Sequence, residues 1–147
     1  MAISGAIPMD PDDVFPHGCF VVGEVEPVKD FDRSTRETPV QAVDKDTGMP
    51  LWRVDVIDAD PNAREKTVRV KITAPVQPVP PEAVPGLPFR PVVLEGLSIL
   101  PWINRDRCKV EKGKPHRCGG QVAWTYRATG MRAPKTAPVA AGNGKAG

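Results

Sequence analysis

Lys66-Thr67-Val68-Arg69-Val70-Lys71-Ile72-Thr73 is the stretch on which the fold turns. Val68, Val70 and Ile72 alternate with Thr67, Arg69, Lys71 and Thr73. Successive side chains of a strand point to opposite faces, so the pattern predicts a strand with an apolar inner face and a cationic outer one. Leu51-Trp52-Arg53-Val54-Asp55-Val56-Ile57 repeats the alternation just upstream. Between the two lies Asp58-Ala59-Asp60-Pro61-Asn62, which is turn chemistry, and together they read as a hairpin.

Outward from this hairpin the same logic finds three more strands. Cys19-Phe20-Val21-Val22-Gly23-Glu24-Val25-Glu26 places Val21, Gly23 and Val25 on one face, and its internal glycine predicts a bulge or a tight bend. Residues 27–49 are a polar connection ending in the turn Asp44-Lys45-Asp46-Thr47-Gly48. Two aspartates and a glycine there echo the start of a calcium loop, but the glycine is one position early, and a plain turn accounts for them. Residues 75–91 hold seven prolines, which forbid a helix and predict a stiff, extended connection. A fourth strand is expected over Val92–Leu100 with a bend at Gly96, and a fifth over Gln121–Ala128.

Five short strands without a confident helix predict an all-β domain, a small five-stranded, OB-like barrel, because closure removes exposed edges. An SH3-like barrel or a small sandwich stays open, since alternation carries no information on strand order. The expected organisation is a flexible acidic N-terminus over residues 1–14, a barrel over 15–132 and a disordered Ala/Gly/Pro/Lys tail over 133–147.

Charge is sorted along the chain. Residues 1–60 carry 5 Lys/Arg and 13 Asp/Glu, whereas residues 104–147 carry 10 Lys/Arg and 2 Asp/Glu. The overall net charge of +2 hides this division. The composition excludes several classes of protein. No stretch approaches the ~20 apolar residues of a membrane span. Met1–Asp13 has neither a basic residue nor an apolar run, so no secretory signal is expected. An odd set of cysteines, Cys19, Cys108 and Cys118, argues against a closed disulfide framework and suits a reducing cytoplasm. With only His17 and His116, and no nucleophile motif or phosphate-binding loop, an enzyme is not expected.

Several runs also carry a likeness. They are Pro16-His17-Gly18-Cys19-Phe20-Val21-Val22-Gly23-Glu24-Val25-Glu26-Pro27-Val28, Asp30-Phe31-Asp32, Pro39-Val40-Gln41 and Val43-Asp44-Lys45-Asp46-Thr47-Gly48. Farther on come Asp58-Ala59-Asp60-Pro61, Arg64-Glu65-Lys66-Thr67-Val68 and Pro88-Phe89-Arg90-Pro91-Val92. In order and wording the chain resembles, over roughly residues 10–132, the small actinobacterial plasmid replication, integration and excision activators of integrative conjugative elements. The resemblance implies an accessory protein that switches on replication, integration and excision. It brings no catalytic residues with it.

Nucleic acid is the partner class that the basic, aromatic C-terminal part suggests. Lysine and arginine neutralise phosphates, and rings stack on bases. The candidate contacts are Arg105, Arg107, Lys109, Lys112, Lys114 and Arg117 in the basic segment, Arg53, Arg69 and Lys71 on the hairpin, and Trp102, Tyr126 and Arg127 beside them. Single-stranded DNA is preferred, because small barrels bind it by groove and stacking and no helix-turn-helix is present. Each feature has a plainer reading: a solvated loop, a polar outer face, and aromatic core packing, the last for Trp124 and Trp52 above all. The alternative function is a protein–protein adaptor or transcriptional regulator that does not itself bind DNA, its acidic half docking a basic replication initiator or recombinase. A homodimer is compatible with either. Cys108, His116 and Cys118 form an incomplete zinc set, three ligands where a structural site has four, with His17 or Cys19 as distant candidates for the fourth. No cofactor is expected.

Overall fold

A computed structural model describes residues 5–86 and 89–135. Its elements are β1 (Ile7–Pro8), α1 (Pro11–Val14), β2 (Cys19–Pro27), β3 (Leu51–Asp58), β4 (Thr67–Thr73), β5 (Arg90–Glu95), β6 (Ser98–Asn104), β7 (Gln121–Ala128) and β8 (Gly130–Arg132). The protein is therefore nearly all β, as its alternation predicts. Where five strands are expected, the described residues form eight, in one sheet of order β1-β6-β7-β4-β3-β2-β5-β8. All neighbours run antiparallel except β4 and β7, which are parallel.

The chain forces this sheet to curl. β6 and β5 stand five strand positions apart, about 24 Å in a flat sheet at ~4.8 Å per strand. Yet only Gly96 and Leu97 separate them in sequence, and three residue steps reach at most about 11 Å. The two flanks must meet at Gly96, so the sheet bends into a half-barrel. The strand expected over 92–100 is thus two strands, and the bend expected at Gly96 is the corner between them. Gly96 has φ +60°, and its missing Cβ leaves room for the Thr129 side chain.

Inside the curl lie Val21 and Val25 of β2, Val54 and Val56 of β3, Val68, Val70 and Ile72 of β4, and Leu94 of β5, with Leu97 at the corner. Ile72, Val70, Val56 and Leu94 are fully buried. These β-branched and branched residues occupy the apolar positions of the period-2 pattern, which is why β3 and β4 pair in unbroken register from Leu51↔Thr73 to Ile57↔Thr67. The bulge predicted at Gly23 is present: β2 advances from Val22 to Glu26 while β3 steps only from Asp55 to Arg53. Gly23 has φ +75°, the left-handed region that glycine occupies without steric cost.

Residues 7–14 correct the expectation of a flexible lead-in. Ile7 and Pro8 pair with Ile99 and Ser98. Asp10 then caps α1, its Oδ1 accepting the Asp12 amide at 2.9 Å. The short helix delivers Phe15 into the core. At the other end, β8 pairs Gly130–Arg132 with Val93–Glu95. Most of the tail expected to be disordered, residues 136–147, lies outside the described residues. Among its described residues the proline-rich connection has no strand or helix before Arg90, and Gln77 fastens it to the Val25 carbonyl at 2.8 Å.

Cys19 belongs to the core. Its Sγ lies 3.6 Å from the Val92 carbonyl, and burial, with Asp58 nearby, pushes the thiol up to about 12. In the folded protein at pH 8 it should resist iodoacetamide while exposed Cys118 is alkylated; mass mapping after a short pulse checks this. Equal labelling of both would show that β2 opens freely.

Candidate nucleic-acid interface

Register decides which candidate residues share a surface. Arg53 lies opposite Lys71 and Glu26, Lys71 lies beside Arg127, and Arg127 lies opposite Ser98. Paired residues project to the same side of a sheet, so Glu26, Arg53, Lys71, Arg127 and Ser98 form one row across the outer face. Trp102 lies opposite Ala123, four residues before Arg127 on β7, and so projects from the same face. Trp102 is 47 % exposed.

The row is less cationic than its composition suggests. Arg53 donates to Glu26 through Nη2 at 2.8 Å and Nε at 3.2 Å. Arg69, on the same outer face, is held by Asp55 at 3.0 Å, and that bond raises its pKa further. Both ion pairs are well exposed, so they add little to stability, but they do offset the charge offered to a ligand. Arg127 reaches Asp44 only at 4.0 Å, and its buried Nε–H has no hydrogen-bond acceptor in the structure. Lys71 takes part in no salt bridge found among the described residues.

Tyr126 turns away from this face. It projects inward, half buried, with its ring centroid 6.4 Å from that of Phe15. Burial chiefly, with Glu65 and Asp58 nearby, holds its phenol above the usual value. Tyr126, expected as a stacking platform, is sent by strand parity to the core side and away from Trp102. Trp124 shares that side but lies beyond the end of the β4–β7 pairing, and it remains 43 % exposed. Trp52 packs against the core, its Nε1 donating to the Ala74 carbonyl at 3.0 Å.

The basic segment forms the tip of the long β6–β7 hairpin. Pairing runs without interruption from Ser98↔Arg127 to Asn104↔Gln121, well past the three residue pairs joining β7 to β4. The hairpin therefore projects from the sheet, with Trp102, Ile103 and Val122 exposed along it. Beyond it, Arg105, Arg107, Lys109, Lys112, Lys114 and Arg117 are all exposed. Lys114 pairs with Glu111 at 2.8 Å. The other five form no salt bridge found among the described residues. A second contact between Lys109 and Arg117, each amide donating to the other's carbonyl at 3.0 and 3.1 Å, folds the tip back on itself.

The zinc reading loses its geometry here. Cys108 and Cys118 approach to 3.9 Å between sulfurs, but among the described residues no three His, Cys, Asp or Glu side chains converge. His116 is not brought to the thiols, nor are His17 and Cys19.

A different feature was not legible in the sequence. Phe15, Trp124 and Tyr126 line a cleft of about 290 Å³ together with Asp58, Asp60, Arg64 and Glu65. The residues are far apart in the chain, and only the parallel pairing of β4 and β7 places them together.

No protein family, curated protein or solved structure matched the chain in comparison. Among the described residues no helix is long and apolar enough to cross a membrane.

Proposed function

We propose that the chain is a nucleic-acid-binding accessory protein, one that activates replication, integration and excision of an actinobacterial integrative plasmid and takes single-stranded DNA as its ligand. The observation that carries this reading is the hairpin: Trp102 half exposed on the outer face, Lys71 and Arg127 on that face, and a cationic tip at its end. A ring and cations on one surface match the stacking and phosphate neutralisation that single strands require. The resemblance across residues 10–132 supplies the biological setting, and a cytoplasmic location goes with it.

The strand pairing supports an OB-like reading of the barrel. Taken as one strand kinked at Gly96, β5 and β6 bond to β2 through the first half and β7 through the second. The order then closes as β2-β3-β4-β7-β6/β5-β2, five strands with β1 and β8 as additions. Folds of this type bind oligonucleotides on their second and third strands and on the loops after the first and fourth. Here those are β3, β4, residues 28–50 and the basic tip.

Fluorescence anisotropy of labelled single-stranded and duplex oligonucleotides across a salt series tests the proposal. Binding should favour the single strand and weaken linearly in log salt. Trp102→Ala should weaken it about 5- to 160-fold, the range for a lost stacked base, while Tyr126→Phe should leave it unchanged. No binding to either oligonucleotide at low salt would sink the proposal.

One observation favours a second reading, the adaptor. Carboxylates and aromatic rings lining the same cleft suit a lysine or arginine side chain, through charge and cation–π attraction. A basic segment of the element's replication initiator or recombinase fits that chemistry. Capture of such a protein that survives Trp102→Ala but is lost in Glu65→Gln with Trp124→Ala would favour the adaptor.

A further inference from the structure

We propose that Cys108 and Cys118 are a reversible covalent modification site, closing an intramolecular disulfide across the base of the basic tip when exposed to a low-molecular-weight disulfide of the glutathione type. The inference concerns the thiols alone and stands whether or not the tip binds DNA.

Backbone register carries it. Lys109 and Arg117 exchange both amide–carbonyl bonds, so they are a hydrogen-bonded antiparallel pair. One residue back along each arm stand Cys108 and Cys118, at the position of a non-hydrogen-bonded pair, for which a regular antiparallel ladder sets the Cα atoms about 4.5 Å apart. That separation lies inside the window that a disulfide requires. The sulfurs already stand 3.9 Å apart, close enough that a small side-chain adjustment brings them toward bonding distance.

A second observation shows that this approach is built into the backbone. The following pair is Arg107 and Gly119, and a Cβ on Gly119 would stand 2.6 Å from the Arg107 carbonyl oxygen. Only glycine lets the two segments come this close. Gly119 thus sets the spacing that brings the cysteines together.

The chemistry has a direction. Cys118 is exposed and Cys108 half exposed, whereas Cys19 is buried. The Gly120 amide, then the Cys108 thiol and the charge of Arg105, favour the Cys118 thiolate. Cys118 Sγ attacks one sulfur of oxidised glutathione, forming a mixed disulfide and releasing one glutathione thiolate. Cys108, losing its proton to solvent, attacks Cys118 Sγ and expels the second. Two protein thiols lose two electrons and two protons in all, and one glutathione disulfide becomes two glutathione thiols. A reduced pool drives the same steps backward, so a cytoplasmic bond would be transient.

Purified protein equilibrated in glutathione buffers of rising oxidised-to-reduced ratio, acid-quenched, alkylated and peptide-mapped, provides the test. The expected product is a monomer about 2 Da lighter, with residues 108 and 118 linked and Cys19 alkylated only after unfolding. Cys108→Ser should trap the glutathione adduct on Cys118. Gly119→Ala should require an oxidised-to-reduced ratio at least about 10-fold higher. A stable glutathione adduct on wild-type Cys118 at every ratio, or only Cys118-linked dimers, would overturn the inference. The Cys108→Ser comparison keeps it falsifiable if the Gly119 variant fails to fold.

Discussion

Gly96→Ala is expected to cost the fold about 2–5 kcal/mol. Two terms add. Gly96 holds φ +60°, where an L side chain meets the following carbonyl at a cost of about 1–2 kcal/mol. The new methyl would also run into the Thr129 side chain, and overpacking of this kind costs about 1–3 kcal/mol. Thr129 has little freedom to move aside, because its amide and hydroxyl both donate to the Glu95 carbonyl, at 2.8 and 3.2 Å. Urea unfolding of Gly96→Ala, Thr129→Ala and the double variant separates the two terms. The double variant should recover about 1 kcal/mol or more of the loss while the backbone term persists. Additive losses would mean that the collision is relieved elsewhere and only backbone strain counts.

Loss of the cations at the hairpin tip should have the largest effect on binding. With Lys109, Lys112 and Arg117 all changed to Ala, single-strand affinity should fall roughly 100-fold at about 0.1 M salt. The arithmetic follows from counterion release: each phosphate contact on a single strand contributes about 0.7 to the slope of log affinity against log salt, so three contribute about 2. The slope itself should flatten by that amount. Lys114 is left out because Glu111 already holds it at 2.8 Å. All three changed side chains are exposed, so thermal stability should stay where it is, which separates lost contact from lost fold. Unchanged affinity and slope in a folded variant would remove the tip from the interface and move attention to Lys71 and Arg127.

The two expectations concern different levels of the same hairpin. Gly96 lets one stretch of chain serve both flanks of the curled sheet, and so fixes where β6 begins. β6 and β7 then carry Trp102 and the basic residues out beyond the three-pair seam with β4.

Much of this fold was legible from local pattern. The period-2 alternation of Val54, Val56, Val68, Val70 and Ile72 announces β3 and β4, and burial of those five residues follows it. Gly23 and Gly96 mark the bulge and the corner, because only glycine tolerates positive φ there at no steric cost. Side-chain parity and glycine freedom are properties of a few consecutive residues, so the sequence by itself determined them. Tertiary structure alone decided which charges remain available. Arg53 meets Glu26, 27 residues away, and Arg69 meets Asp55, 14 residues away, because register aligns them across strands. It also decided that Tyr126 faces Phe15, that Ile7–Pro8 has a strand to pair with, and that Cys108 meets Cys118 with no third His, Cys, Asp or Glu beside them among the described residues. Alternation specifies a face for each side chain but no partner. Partners are chosen when hydrogen-bond register and the curl of the sheet bring distant residues to the same few ångströms.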